Sequence, residues 1–258
     1  AAGATRAGAG LVTLACARTV YPILAAKLVE TTFLALPDEE GHLSAEAAYA
    51  VRQELEGYDA LLVGCGLGQA GYVRAFMRSL LSTLEETGIK GLAIDADGLN
   101  NLAKANSGWE WWREPGVPAV VTPHPGEMAR LTGRSVDEIQ SDRLRAAQEA
   151  ARRWGMAVAL KGANTVVAAP DGRARISPFA NPGLASAGTG DVLAGTVVGL
   201  MAQGLDPFDA ASLAVFIHGL AAERLRRELG SAGMVAGDLL LALPKAMKEL
   251  RGENSLGK

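Results

Sequence analysis

The stretch NPGLASAGTGDVLAG (residues 181–195) passes from a loop into a helix, and it decides how the rest of the chain is interpreted. Glycine permits positive φ angles and close approach of the backbone to a ligand. A glycine-rich loop that leads into a helix leaves several backbone N–H groups unbonded, with the positive end of the helix dipole behind them. Such a corner predicts a binding site for a phosphate group or for developing negative charge.

Asp191 lies in the first turn of this helix. Its carboxylate is placed to accept a proton from a substrate hydroxyl beside the anion site. Helix capping is the alternative, because Thr189 and Asp191 are both favourable cap or first-turn residues. The tetrapeptide from Gly188 to Asp191 does not by itself decide between the two interpretations.

Upstream of this corner, short apolar segments alternate with amphipathic ones. Apolar side chains recur at steps of three and four over residues 71–87, and Ser135 with Glu138 forms a capping-box pattern before a helix that ends near Trp154. Strands with continuous apolar character are predicted at 31–36, 59–64, 91–95, 118–122 and 156–161. This alternation predicts an α/β fold with a mostly parallel central sheet and helices on both faces.

The last third of the chain has a different pattern. A hairpin is predicted around Asp171 and Gly172, and three helices follow it at 191–203, 207–229 and 237–250. Neither an internal repeat nor a low-complexity linker interrupts the sequence. We therefore interpret residues 1–258 as one domain.

Composition excludes several classes of protein. The 258 residues are 49% hydrophobic, enough for a sizeable core, and the formal net charge of −3 comes without a basic run, so neither nucleic acid nor a membrane is expected as a partner. The cysteines, Cys16 and Cys65, suit a reduced, cytoplasmic protein. The histidines, His42, His124 and His218, lack ligand-like spacing, so no metal-binding residues are predicted.

The N-terminal apolar run is predicted to form a buried strand over residues 10–15. A secretory signal is the alternative, but it requires a more basic start and a cleavage site. The sequence has no initiating Met and enters this strand almost at once. We therefore expect N-terminal residues to be missing from it.

A second glycine loop suggests a competing function. Gly66, Gly68 and Gly71 follow a predicted strand with the GxGxxG spacing, and Asp95 comes 24 residues after Gly71. This resembles the dinucleotide fingerprint, in which the acid binds a ribose hydroxyl, and it would indicate a nicotinamide-dependent oxidoreductase. A glycine turn for tight strand–helix packing is the structural alternative.

Two further motifs follow predicted strands. In TPHPGE (residues 122–127), prolines flank His124 and place the imidazole on a rigid turn where open α/β sheets bind ligands. His124 as a packed turn residue and Glu127 as a first-turn charge are the alternatives. Lys161 ends another strand, either near a phosphate group or as a solvated charge.

Together these motifs resemble the ADP-dependent NAD(P)H-hydrate dehydratases, a family of ribokinase-like fold. The resemblance covers almost the whole chain, and TPHPGE combined with AGTGDVLAG (residues 187–195) is its most specific part. It implies a lyase that removes water from hydrated NADH or NADPH at the expense of ADP and releases AMP and phosphate. Mg²⁺ is implied as well, since phosphoryl transfer needs the phosphate charge neutralised.

The resemblance also implies roles for individual residues. Asp191 would be the catalytic base and would contact the hydrated substrate together with Gly66 and His124. The amides of the corner would stabilise the transferred phosphoryl group, at Gly188, Thr189 and Gly190. The adenine nucleotide would lie against Gly190 and the segment formed by Lys161, Gly162, Ala163, Asn164 and Thr165.

The sequence departs from the family at a few positions. Cys65 stands where the family usually has proline, and Gly98 where it usually has alanine. The resemblance also implies an N-terminal glycine-rich segment that helps to form the substrate site, and we expect it among the residues missing before Ala1. A sugar or vitamin kinase of the same fold is the alternative function, although TPHPGE has no evident purpose in it. We expect a homo-oligomer, with a tetramer as one candidate, as is common in the family.

Overall fold

The computed structural model describes residues 1–104, 109–230 and 232–252. A six-stranded sheet lies at its centre, with the strand order β10-β9-β8-β7-β6-β5. The strands of the described residues are β1 (Thr13–Ala17), β2 (Thr32–Leu36), β3 (Asp38–Glu39), β4 (His42–Leu43), β5 (Ala60–Val63), β6 (Gly91–Ile94), β7 (Ala119–Val121), β8 (Ala157–Leu160), β9 (Val166–Ala168) and β10 (Ala174–Ile176).

The central sheet confirms the predicted parallel arrangement. Strands β5 to β8 are parallel to one another, whereas β9 and β10 form the predicted antiparallel hairpin at one edge. Each parallel strand has only three or four residues, almost all apolar, because both faces of the sheet are covered.

The N-terminal strand differs from the expectation. It forms at Thr13–Ala17 rather than 10–15, is only partly buried, and pairs in parallel with β2. Among the described residues, this pair makes no ladder with the six-stranded sheet. Side chains of β1, β2 and the edge strand β5 line a cavity of about 220 Å³. The two sheets therefore meet through side chains.

Helices cover both faces of the central sheet. They are α1 (Ala2–Arg6), α2 (Tyr21–Ala25), α3 (Ala47–Glu54), α4 (Gly71–Leu81), α5 (Asp97–Ala103), α6 (Pro125–Thr132), α7 (Val136–Ser141), α8 (Arg143–Trp154), α9 (Thr189–Met201), α10 (Pro207–Leu229) and α11 (Ala236–Leu250). No helix of the described part of the chain is long and apolar enough to cross a membrane.

Two predicted helices are shorter than expected. The prediction of one continuous helix from Ser135 to Trp154 is wrong, because Asp142 adopts φ −149° and ψ 79° and ends α7. The Asp142 side chain then caps α8 by accepting a hydrogen bond from the Arg145 amide at 3.0 Å. The helix expected over 71–87 ends at Leu81 and is followed by a 3₁₀ turn, Leu84–Thr87.

The strand residues alternate between two cores. In β8, Val158 and Leu160 face the core that contains α4 and α8, whereas Ala157 and Ala159 face the core that contains α9, α10 and α11. Small side chains on the second face let the apolar helix α9 approach the sheet closely. The first turn of α9 is thereby placed near the edge at which the parallel strands end.

Candidate active site

The N-terminal corner of α9 has the predicted form. Gly188 precedes the helix with φ +82°, no side chain caps it, and the Asp191 side chain is exposed in the first turn. The N–H groups of Gly190 and Asp191 have no hydrogen-bond acceptor among the described residues. Two free amides and the positive end of the helix dipole therefore face the same solvent-accessible point as the Asp191 carboxylate.

Thr189 departs from its predicted role in the anion site. The residue is buried, and its hydroxyl donates to the carbonyl oxygens of Leu184 (2.7 Å) and Ser186 (2.8 Å). Its own N–H donates to the Ser186 carbonyl oxygen at 3.3 Å. Thr189 therefore holds the corner in shape. The amides of Gly188, Gly190 and Asp191 have no acceptor among the described residues.

A histidine from α10 supports the same turn. Nε2 of His218 donates to the Thr189 carbonyl oxygen at 3.0 Å, which places the ring proton on that nitrogen. Burial lowers the pKa of His218 to about 4, so the ring is neutral at physiological pH. No role for His218 is predicted from the sequence, because its partner lies 29 residues away.

Lys161 is part of a buried ion pair. Its Nζ lies 2.6 Å from Oδ1 of Asp95 and 3.7 Å from Oε2 of Glu127. Only 17% of the Lys161 side chain is exposed, which excludes the solvated-charge interpretation. A Cβ atom on Gly190 would lie 3.6 Å from this ammonium, so the cation stands beside the free amides of α9.

Asp95 decides the status of the GxGxxG loop. Its side chain is 1% exposed and is paired with Lys161, so it is not free to bind a ribose hydroxyl. Gly66 is exposed with φ +72°, and a Cβ atom added to it would meet no atom within 4 Å. The fingerprint thus lacks its acidic partner, and the loop keeps an accessible backbone.

His124 caps helix α6. Its Nδ1 accepts hydrogen bonds from the amides of Gly126 (3.0 Å) and Glu127 (3.3 Å), while Glu127 Oε2 accepts from the His124 amide at 2.7 Å. The ring proton of neutral His124 is therefore on Nε2, and half of the side chain is exposed. Burial, followed by the charges of Lys161 and Arg130, lowers the His124 pKa.

Glu127 is more than a first-turn charge. It is 4% exposed, and burial raises the pKa of its carboxyl group against the opposing effect of Lys161. It connects the His124 cap to the ion pair of Lys161. Sequence reasoning identified its position in the helix but not this connection.

The predicted nucleotide loop, residues 161–165, is shaped by internal contacts. Asn164 has φ +53° and donates to the Ser177 carbonyl oxygen at 2.9 Å, and the Thr165 hydroxyl donates to the Gly162 carbonyl oxygen at 3.0 Å. Gly162, Ala163 and Asn164 are exposed. The loop therefore offers its exposed backbone, rather than the Asn164 or Thr165 side chains, to a ligand.

Arg143 of α8 supports this loop and was missed by sequence analysis. Its Nη2 donates to the Leu160 carbonyl oxygen at 2.9 Å, and its Nη1 donates to the carbonyl oxygen of Ala163. Because Arg143 is 17 to 20 residues from its acceptors, only the tertiary structure reveals the contact.

The structure also assembles a group that the sequence did not predict. Ligand-type atoms of Cys65, Asp95 and Asp191 all lie within 4.8 Å of one another. Burial and the two carboxylates raise the pKa of the Cys65 thiol. Mg²⁺ takes oxygen ligands, so the two carboxylates fit it and the thiol does not.

This chain is similar to known proteins over almost its whole length. The sequence matches the family described as NAD(P)H-hydrate dehydratase over residues 1–245. It is 42% identical over 254 residues to the bifunctional NAD(P)H-hydrate repair enzyme Nnr of Moorella thermoacetica, a match that covers 98% of this chain and 47% of that protein. The chain thus spans about half the length of the curated relatives it matches.

Two solved structures place the fold. The ADP/ATP-dependent NAD(P)H-hydrate dehydratase of Bacillus subtilis, co-crystallised with ATP and Mg²⁺ and soaked with CoA, has a TM-score of 0.78 and 31% identity, covering 96% of this chain and 84% of its own. A ribokinase-like superfamily protein of Enterococcus faecalis has a TM-score of 0.78 and 24% identity, covering 96% and 80%. The fold is therefore ribokinase-like, and the chain belongs to the NAD(P)H-hydrate dehydratase family.

Proposed function

We propose that this chain dehydrates hydrated NADH or NADPH, the (S) form, at the expense of ADP. The observation that most directly supports this proposal is the exposed carboxylate of Asp191 beside the free amides of Gly190 and Asp191. The Lys161 ammonium lies next to these amides. A base, an anion site and a cation at one point are what phosphoryl transfer to a hydroxyl requires.

In the proposed first step, Asp191 takes the proton of the hydroxyl on the hydrated ring. The hydroxyl oxygen forms a bond to the β-phosphorus of ADP, and the bond between that phosphorus and the bridging oxygen breaks, so that AMP leaves with the electron pair. The amides at the start of α9 and Lys161 stabilise the charge on the transferred group.

In the second step, phosphate leaves the ring carbon with the C–O bonding electrons. A proton leaves the neighbouring carbon, and its electron pair restores the ring double bond of NADH or NADPH. The net reaction converts the hydrate and ADP into the reduced cofactor, AMP and phosphate. The elements of water lost from the ring are thus found in AMP and phosphate, the hydrolysis products of ADP.

The remaining residues bind and orient the two reactants. The exposed backbone of residues 162–164 and the amide of Gly190 suit the adenine nucleotide, because Lys161 links the loop to the start of α9. Gly66 and His124 suit the hydrated dinucleotide, since Gly66 is next to Cys65 in the Asp191 group and the His124 cap adjoins Lys161 through Glu127.

Mg²⁺ belongs to the proposal as a companion of the nucleotide. It would be held by the phosphate oxygens and by the exposed carboxylate of Asp191, while Asp95 is buried and paired with Lys161. When bound, it neutralises part of the negative charge on the phosphates. The homo-oligomeric state and the cytoplasmic location stay predictions.

Dihydronicotinamide absorbance tests the proposal directly. Mixing the protein with hydrated NADH, Mg²⁺ and ADP should give a rise in absorbance that requires ADP. Asp191→Asn should lower kcat by roughly 10³-fold, as loss of a general base does. Asp137→Asn, which changes an exposed first-turn carboxylate of α7, should retain full activity.

Two outcomes would contradict this assignment. No rise with the unmodified protein, combined with phosphorylation of a sugar or vitamin alcohol by ATP, would favour the kinase. Full activity of Asp191→Asn would remove Asp191 from the role of base.

A further inference from the structure

A polar cluster holds the Gly66–Gly68 loop against helix α5. Oδ2 of Asp97 accepts from the Gly68 amide at 3.0 Å, and Oδ1 accepts from Gln69 Nε2 at 2.8 Å and from Asn100 Nδ2 at 3.2 Å. The Asp97 oxygens are thus occupied by neutral donors. The loop and the cluster are thus joined by hydrogen bonds, and the loop also carries Gly66, next to Cys65 of the Asp191 group.

Three basic side chains converge on this cluster. Arg74 Nη1 donates to the Gln69 carbonyl oxygen at 3.4 Å, Lys104 Nζ to Gln69 Oε1 at 2.7 Å, and Arg130 Nε to Asn100 Oδ1 at 3.0 Å. All three acceptors are neutral oxygens. Within residues 1–104, 109–230 and 232–252, none of these cations has a carboxylate partner within 4 Å.

The two arginines are oriented toward helix N-termini. Nη1 of Arg130 lies 3.6 Å from the position of a Cβ on Gly126, which puts the guanidinium alongside the His124 cap of α6. Nη2 of Arg74 lies 3.7 Å from the position of a Cβ on Gly71, the first residue of α4. The positive charges of the two arginines therefore lie beside the positive ends of two helix dipoles, those of α4 and α6.

Most of the donors of these side chains are unused. Arginine carries five N–H donors and lysine three, and each side chain makes one hydrogen bond in the described structure. The Arg130 guanidinium lies alongside His124, which follows β7, so the positive charge of the cluster extends to the end of that strand. This field favours an anionic group bound over the Gly66–Gly68 loop.

We propose that Arg74, Lys104 and Arg130 form a subsite for a phosphate group of the dinucleotide substrate. The inference rests on the proposed function, which makes a nicotinamide dinucleotide the substrate. It extends that function by placing a phosphate of the substrate on the loop of Gly66, apart from the nucleotide segment at 161–165. A nicotinamide dinucleotide carries a pyrophosphate, and its NADPH form carries a 2′-phosphate as well. Both present oxygens that arginine and lysine bind.

Binding of NADH and NADPH, followed by nicotinamide fluorescence, tests the subsite without requiring turnover. Each of Arg74→Gln, Lys104→Gln and Arg130→Gln should raise the Kd of NADPH about fivefold at low salt, as expected for exposed charge-assisted contacts. Lys90→Gln is the matched control. It removes one exposed charge directly before β6, at the amino ends of the parallel strands, whereas the Gly66–Gly68 loop follows the carboxyl end of β5. It should leave both dissociation constants unchanged.

The two cofactors identify which phosphate is bound. An equal rise for NADH and NADPH assigns the subsite to the pyrophosphate, whereas a rise for NADPH alone assigns it to the 2′-phosphate. Values within twofold of the unmodified protein for both cofactors in all three variants overturn the proposal. Kinetics provide a second readout: KM for the hydrate should rise while kcat and the KM for ADP stay constant.

Failure of this inference and failure of the proposed function are distinguishable. Full turnover with unchanged KM in the three variants removes the subsite and leaves the dehydratase. Absence of turnover, with NADPH binding that still depends on the three cations, removes the dehydratase and leaves the subsite. Absence of any dinucleotide binding by the unmodified protein removes both.

Discussion

The Nζ atom of Lys161 lies 2.6 Å from Oδ1 of Asp95, although 66 residues separate them in the chain. The two residues follow β8 and β6, and β7 lies between these strands. Their ion pair is largely withdrawn from solvent, with exposed side-chain fractions of 17% and 1%. It fixes a cation at the start of α9, where the proposed phosphoryl transfer takes place.

Removing this cation should destabilise the protein markedly. Lys161→Met leaves Asp95 buried without its charged partner, and we expect the free energy of unfolding in urea to fall by roughly 3 kcal/mol. Lys90→Met is the control: Lys90 and Asp59 are also 2.6 Å apart, but their side chains are 75% and 46% exposed. That variant should lose less than about 1 kcal/mol. Equal losses would contradict the importance of burial.

His218 should make stability depend on pH. Its folded pKa of about 4 lies below the ordinary value of 6.5, so the unfolded chain binds more protons between these values. Its contribution is complete above about pH 6.5 and is lost as the pH falls toward 4, to a total of roughly 3 kcal/mol. The free energy of unfolding, measured by urea titration at several pH values, should depend less on pH in His218→Asn than in the unmodified protein. The His42→Asn control should keep it, and identical profiles for His218→Asn and the unmodified protein would refute the prediction.

Arg143 should act on nucleotide binding through the loop that it supports. Arg143→Leu removes the donors to the Leu160 and Ala163 carbonyl oxygens. We expect KM for ADP to rise about tenfold, equivalent to about 1.4 kcal/mol, with a smaller change in kcat. Steady-state kinetics with varied ADP measure this. Arg145→Leu, on the exposed side of α8 where Arg145 pairs with Glu149, should not alter KM. A rise in both variants would indicate a general effect on α8.

Two glycines of the same loop should respond differently to substitution. A Cβ atom on Gly64 would lie 1.8 Å from the Asp95 carbonyl oxygen, a backbone atom that cannot move aside easily. Gly64→Ala should therefore lose at least about 3 kcal/mol or fail to fold. Gly66→Ala meets open space and suffers only its φ of +72°, at about 1 kcal/mol. Thermal unfolding of both variants distinguishes the cases, and similar midpoints would exclude the close approach.

Local features of the fold were predictable from the sequence. The segment at 207–229 forms α10 with the predicted bounds, and the hairpin around Asp171 and Gly172 is present. Apolar periodicity and turn chemistry act over a few residues and are visible in the sequence. The break at Asp142 was missed, because the capping box at Ser135 starts a helix without indicating how soon it ends.

The site was predicted unevenly for the same reason. Gly188, Gly190 and Asp191 are adjacent in sequence, so one motif revealed the corner of α9. The sequence pattern connects Asp95 only with the competing dinucleotide fingerprint, and it predicts no role for Arg143. Their partners lie 66 and about 20 residues away, and no local pattern encodes those pairings.

The sequence by itself determined the alternation of strands and helices, the capped start of α7 at Ser135 and the glycine corner before Asp191, since each depends on neighbours within a few residues. The tertiary structure decided which strands lie side by side, and thereby which charges meet. Parallel strands bring their carboxyl ends to one edge of a sheet, and the order of β6, β7 and β8 places Lys161 over Asp95. Burial then makes that pairing obligatory, because an unpaired charge in this position would be too costly to keep.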